Sequence, residues 1–207
     1  MNLNPLKALE SRVDLPRNLA IFKVSGHGLK IAPMLAILKR IFAPASRREA
    51  ADRLHRAIVE RARNKWFFEA LGVPDTLDGR FDLMTLEAFL VFDTLEGRGA
   101  EQRALAQQTY DAMFAAFDDA VRSLGVGDMG VPRKMKAMGT AYLGRVEAYR
   151  GALEKDEATL RDALFRNLYR GAEPPEGALN YLASYIYKEH ARLRSLPDAA
   201  FFAGQLS

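Results

Sequence analysis

The chain contains no cysteine, which removes disulfides, thiolate metal sites and cysteine nucleophiles in one step. Histidine is almost as scarce. His27, His55 and His190 are far apart, and none has a His or carboxylate at the i+4 spacing that places metal ligands on one helix face. No run of about 18 uncharged apolar residues is present, so no segment reads as a spanning helix. The first thirty or so residues lack the apolar core and small-residue cleavage site of a signal peptide. These absences, with the missing cysteine, predict a cytoplasmic protein.

Catalytic and ligand-binding patterns are missing too. Gly26-His27-Gly28 lacks the strand, helix and Gly-Lys-Ser/Thr ending of a phosphate loop. Asp75, Asp78 and Asp82 surround Gly79 without the alternating ligands or closing Glu of a calcium loop, and helix capping by Asp78 or Asp82 is the expected role. Asp118 and Asp119 are adjacent, so on a helix they point about 100° apart and cannot converge on one bond. No catalytic residue, metal ligand or cofactor is predicted, and the chain reads as a non-enzyme.

What is present is helical periodicity. Hydrophobic residues make up 49% of 207 residues, an ordinary globular balance for one domain. The single β-like stretch is Leu19 to Val24. From Ser46 onward the 3.6-residue period recurs, and the predicted architecture is all-α: a single domain of about six helices over 46–207, preceded by an irregular extension over 1–45. Pro5, Pro16, Pro33 and Pro44 interrupt that extension. Its Met34 to Phe42 stretch is apolar and basic, but too short for firm anchoring on a membrane.

Ser46, with Glu49 three residues on, marks the start of the first helix, which runs to Gly72-Val73-Pro74 with Ala50, Leu54, Ala57, Ile58, Phe68 and Leu71 on one face. The second, about Phe81 to Leu95, is apolar nearly all round and reads as the central core helix. The third spans Ala100 to Leu124 and aligns Ala106, Tyr110, Met113, Phe117, Val121 and Leu124. The fourth begins at Pro132, with Val131, Met135, Met138, Tyr142, Val146, Tyr149 and Leu153 within an arc of about 80°. Asp156 caps a fifth helix to about Tyr169, and a sixth opens after Pro174-Pro175 and stops at Pro197.

Charge is uneven. Residues 30–65 hold ten Lys or Arg against three acids, 66–128 hold four against twelve, and 129–170 hold nine against five. Two readings stand: the blocks neutralise one another within the fold, or the basic ones bind a polyanion such as ribosomal RNA. Arg61, Asn167, Gly139 and Gly144 interrupt otherwise regular helices. Arg61 is expected to snorkel or enter a buried ion pair, Asn167 to bond a backbone carbonyl, and Gly144 to mark a close approach of another element. His190, on the apolar face of the last helix, is expected to be a core histidine hydrogen-bonded to a neighbour.

The stretches LGVGDMGVPRKMKAMGTAYLGRVEAYRGAL, DEATLRDALFRNLYRG and LRSLPDAAFFAGQLS, with the earlier FFEALGVPDTLDGRFDLMTLEAFLVF, resemble the ubiquinol-cytochrome c chaperone family from about Leu38 onward. The resemblance implies a non-catalytic assembly chaperone for the respiratory bc1 complex that attends newly made or newly inserted cytochrome b. Mitochondrial members work with a small partner near the ribosomal exit, so a ribosome contact and a small partner protein are implied as well, with peripheral association at the inner membrane and no role for DNA. Matching positions are Asp128, Lys136, Met138, Tyr142, Arg145, Tyr149, Asp156, Arg166, Asn167 and Tyr169. Asp156 caps a helix and the two tyrosines lie on a core stripe, which leaves Lys134, Lys136, Arg145 and Arg166 as candidates for surface contact. Met135, Met138 and Asn167 complete the candidate partner-binding set, and Met113 is a further groove candidate, since flexible thioethers adapt to varied helices. Residues 1–33 do not match and carry no Arg-rich, acid-poor targeting pattern. The reading is a bacterial member, with Met34 an alternative start.

Overall fold

The structure, a computed structural model, describes residues 45–127 and 129–206. The expectations for 1–44 and for Asp128 lie outside these residues. Eight helices and no strand occur among the described residues: α1 (Ala45–Ala62), α2 (Lys65–Glu69), α3 (Leu77–Glu96), α4 (Ala100–Ser123), α5 (Val131–Lys155), α6 (Glu157–Asn167), α7 (Ala178–Ser195) and α8 (Asp198–Ala203).

Helix α3 is the axis of the domain. Its N-cap is Thr76, whose hydroxyl accepts the Gly79 N–H at 3.1 Å, so neither Asp78 nor Asp82 caps it. From Phe81 to Leu95 every residue except Met84 and Asp93 is buried, because α1, α4, α5 and α7 all pack on it. A helix surrounded this way must be apolar on all faces, as the sequence suggested.

The single first helix expected to run to Leu71 is two helices. Asn64 leaves the helical conformation (φ −58°, ψ 122°) and its side chain accepts the Trp66 N–H at 3.0 Å, which caps α2. Asparagine favours such local bonds over the helical ladder. The break turns Phe67 inward, where it is 2% exposed and meets Tyr185 edge-on. Beyond Gly72, Tyr169 donates its hydroxyl proton to the Leu71 carbonyl at 2.6 Å and ties this corner to the end of α6.

Asp156 ends α5 and caps α6, accepting the Thr159 N–H at 2.7 Å. Past α7 the chain forms α8, which the sequence did not reveal. Phe201 is fully buried there, and Arg53 of α1 donates to the Phe202 carbonyl at 3.2 and 3.1 Å. Two other expectations change. Leu124 is 59% exposed rather than part of the α4 stripe, and Gly144 faces open space, so its lack of a side chain serves no close approach.

Candidate functional site

Three acids interrupt the apolar run of α3, and each is held by arginine from another helix. Glu87 is fully buried; it accepts from Arg61 Nε at 2.8 Å and from the Tyr185 hydroxyl at 2.6 Å. Arg61 also reaches Glu189 at 2.7 Å, and Arg61 and Arg192 both donate to the Leu206 carbonyl. Asp82, also fully buried, is bridged by Arg145 at 2.8 Å and Arg170 at 3.0 Å. Burial pushes the carboxyls of Glu87 and Asp82 upward, while their arginines pull the other way.

Asp93 accepts from Arg150 Nε at 2.9 Å and lies 3.0 Å from His190 Nε2, so His190 has the hydrogen-bonded core role expected of it. Burial raises the Asp93 carboxyl, but the bonds from His190 and Arg150 outweigh it and hold the group below its ordinary value. A depressed carboxyl contributes stability that is present above the unfolded value and is lost as pH falls through the folded one. Asp93→Asn is therefore expected to lower stability at pH 7 by about 1–3 kcal/mol. The gap from the unchanged protein should narrow at pH 3, read from urea midpoints at both pH values. An equal gap at both would sink the assignment.

Asp93, Glu96 and Arg150 line a cavity with Phe89, Phe92 and Tyr142 of only about 10 Å³, space for about one water. No cluster of His, Asp and Glu able to hold a metal occurs among the described residues. Arg61, Arg145, Arg150 and Arg170 come from the two basic blocks, and each is spent on a carboxylate inside the fold. These four, of the nineteen Lys and Arg in the two blocks, are neutralised within the fold.

A different surface is built where α4 and α5 meet. After Met113 the only buried residue of α4 is Val121, and between Val131 and Tyr142 no residue of α5 is buried. The far halves of the two helices thus form a finger with a thinly covered apolar face. Phe114, Phe117, Met138 and Ala141 lie there partly buried, and Met135 is half-buried one turn nearer the tip. The rings of Tyr110, Phe114 and Tyr142 meet one another, and Phe114 leads through Phe117 to Phe81, with centroids 4.4 to 5.7 Å apart. Such packing gives the finger a stiff base.

The sequence-predicted residues divide across these environments. Lys134, Met135, Lys136 and Met138 fall together on the first turns of α5, both lysines exposed and both methionines half-buried. Arg145 is committed to Asp82, donates to the Ala141 carbonyl at 3.0 Å and lies over the Phe81 ring, so its expected surface contact gives way to a structural ion pair. Arg166 (exposed) and Asn167 (half-buried) end α6. Met113 is fully buried core. Sequence reasoning placed Phe117 and Leu124 on the apolar stripe of α4, although Leu124 is 59% exposed, and singled out neither Phe114 nor Met129, which is 95% exposed. The signal for Met129 was its place in a glycine-rich loop, where no helical stripe can bury it.

Comparison with known proteins places this geometry among relatives. The family model described as ubiquinol-cytochrome C chaperone matches residues 69–207. The chain is 23% identical to the ubiquinol-cytochrome-c reductase complex assembly factor 1 of Xenopus laevis over 140 residues, 68% of this chain and 70% of that protein. It is 26% identical to the mitochondrial protein CBP3 of Saccharomyces cerevisiae over 149 residues, 68% of this chain but only 43% of the yeast protein. A crystal structure of the Cbp3 homolog from Brucella abortus superposes with a TM-score of 0.70 at 35% identity, covering 84% of this chain and 95% of that one.

Proposed function

This chain belongs to the ubiquinol-cytochrome C chaperone family, and from that premise we propose that it assists assembly of the bc1 complex by holding newly made cytochrome b on the α4–α5 finger. The observation that carries the reading is the thin cover over the finger's apolar face, where Phe114, Phe117, Met135 and Met138 are half-buried beside the exposed Lys134 and Lys136. An apolar helix of an unassembled membrane protein offers no fixed side-chain pattern, and a Met- and Phe-lined face can repack against many. The lysines at its edge suit the polar ends of such a helix. The frog relative's name as an assembly factor for ubiquinol-cytochrome-c reductase supports the same role. Arg166 and Asn167 are proposed as a second contact, separate from the face. A cytoplasmic location, a ribosome contact and a small partner protein belong to this proposal as well.

The test has two arms. Deleting the gene in its host is expected to deplete assembled bc1 complex and cytochrome b selectively, with recovery when a copy is restored; normal levels of both would overturn the role. In the second arm the purified chain captures cytochrome b made in a cell-free system with detergent. Met135→Ser with Met138→Ser is expected to reduce capture roughly tenfold or more, with helical content by circular dichroism unchanged. Undiminished capture would move the client off the finger while leaving the role intact.

A further inference from the structure

Two adjacent residues of α3 hold both helices of the finger. Phe81 takes the Phe117 ring of α4 at 5.4 Å between centroids, and the guanidinium of Arg145 from α5 lies 5.6 Å over the same ring. Asp82 meets Arg145 Nη2 at 2.8 Å. Tipward of Arg145, no residue of α5 between Val131 and Tyr142 is buried, so the far half of the finger is a lever and small shifts at 81 and 82 move its face.

Asp82 is also held from a third side. Arg170, in the turn after α6, donates from Nε to its other carboxylate oxygen at 3.0 Å and from Nη1 to Asp78 at 2.8 Å. The Arg170 side chain is 45% exposed, yet the carboxylate it reaches is fully buried. Its backbone has φ 54°, and among the described residues it is the only non-glycine with a positive φ. Glycine would adopt this left-handed conformation without a Cβ clash, so the arginine is held there by what its guanidinium binds. Strained positions persist where the surroundings over-determine them.

The cluster is bonded incompletely. Four buried side-chain polar atoms among the described residues have no hydrogen-bond partner, and three of them meet here: Asp82 Oδ1, Arg145 Nε and the Tyr149 hydroxyl. Arg145 Nη2 is near Asp82 Oδ1 but is not aligned to donate to it, and Tyr149 lies close enough to feel both charges. A fully bonded buried network specifies one arrangement, whereas one with unused donors and acceptors can regroup.

We propose that Asp82 is the positioning residue of the finger. Through Arg145 its carboxylate fixes the angle of α4 and α5 against α3, and through Arg170 it ties that angle to the end of α6. This role rests on the finger face being the client's seat, and it joins the face to the second contact. Asn167 lies three residues before Arg170, so a polypeptide that pulls on the end of α6 draws on the carboxylate that steadies the finger. Such coupling is reciprocal: a client that shifts the finger changes the affinity at Arg166 and Asn167 by the same factor.

The absence of native cysteine allows a direct test on the full chain. Nitroxide labels are placed at Ala137→Cys, exposed on the finger, and Ala191→Cys, exposed on α7, and pulsed electron paramagnetic resonance reads the distance between them with no client present. The parent is expected to give one narrow distance. Arg145→Met and Arg170→Gly are each expected to broaden it or add a second distance, Arg170→Gly even though it relieves the backbone strain. Arg145→Lys and Arg170→Lys keep the charge and are expected to stay close to the parent. Arg161→Gln, which removes an exposed α6 pair with Glu157 at 2.7 Å, is the control expected to leave the distance unchanged.

A loss of stability alone lowers denaturant midpoints without moving a label in the folded chain, and circular dichroism checks that each variant is folded. If Arg145→Met does not fold, Arg170→Gly, on an exposed turn, decides. In capture of cytochrome b made cell-free, the two charge-removing variants are expected to fall about threefold to thirtyfold below the parent. The inference fails if the folded variants keep the parent's narrow distance, if the lysine variants broaden it as much as Met and Gly do, or if it broadens while capture is unchanged. The distance is read without a client, so absence of capture by the parent itself would overturn the client reading and leave the positioning to be decided by the labels.

Discussion

Glu87→Ala is expected to destabilise the fold by about 3–5 kcal/mol, because it breaks a buried ion pair and leaves Arg61 only its second carboxylate, Glu189, at 2.7 Å. The guanidinium of Arg61 would lose the carboxylate it now meets at 2.7 Å, and the Tyr185 hydroxyl would lose its acceptor at 2.6 Å. For a domain of this size a loss of that magnitude lowers the melting temperature by roughly 6–20 °C, measurable by calorimetry. The complementary experiment replaces the whole group with apolar residues of similar volume: Arg61→Met, Glu87→Leu and Tyr185→Phe together. Glu189 would keep Arg192 at 2.7 Å, and the Leu206 carbonyl would keep its bond from Arg192. That variant is expected to recover most of the loss, since a buried pair rarely outperforms well-packed hydrocarbon. A single-variant cost below about 1 kcal/mol would mean that Glu87 is not desolvated as described.

Gly79→Ala is the second large effect. A Cβ built on Gly79 would sit 1.9 Å from the Pro74 carbonyl oxygen, and that oxygen is backbone, fixed by its bond from the Thr76 N–H at 2.8 Å. Relief requires the Pro74–Thr76 turn to move, which also breaks the Thr76 cap on the Gly79 N–H. Overpacking of about 1–3 kcal/mol and loss of a cap worth about 1 kcal/mol combine to roughly 2–4 kcal/mol, although alanine is otherwise the best helix former. Denaturant midpoints read this directly. An unchanged or raised midpoint would contradict the close approach, which the control Gly144→Ala, in open space, is expected to show in the stabilising direction.

Much of the fold could be read from local chemistry. Asp156 caps α6, Pro132 lies in the first turn of α5, and the apolar run after Phe81 is the central helix. Each of these depends on neighbours in sequence. The break at Asn64 was hidden because Phe68 and Leu71 continue the α1 stripe by count, and only the bond to the Trp66 N–H distinguishes a cap from a helical asparagine. Helix α8 is six residues long, less than two turns, so it carries no period to detect.

The site was legible in part for the same reason. Met135, Met138, Lys134 and Lys136 were visible as one cluster because they share two turns of a helix. The commitment of Arg145 to Asp82 was not, since the two are brought together only by packing of α5 on α3. The acids of α3 could have been flagged as charges at positions 82, 87 and 93 of an apolar run. Their partners could not be named, because Arg61, Arg145, Arg150 and Arg170 come from other helices and from the turn after α6.

Those same three acids decide which solvent α3 belongs to. At 20 residues the helix is about 30 Å long, the thickness of a bilayer's hydrocarbon layer. Apart from Glu87, its residues from Leu83 to Val91 would suit lipid as well as they suit a protein interior. Asp82, Glu87 and Asp93 each cost about 2.5–3.5 kcal/mol in the middle of a membrane, whereas inside this domain each meets a waiting guanidinium. A protein proposed to work beside hydrophobic helices thus has a core helix that lipid disfavours and its own arginines retain.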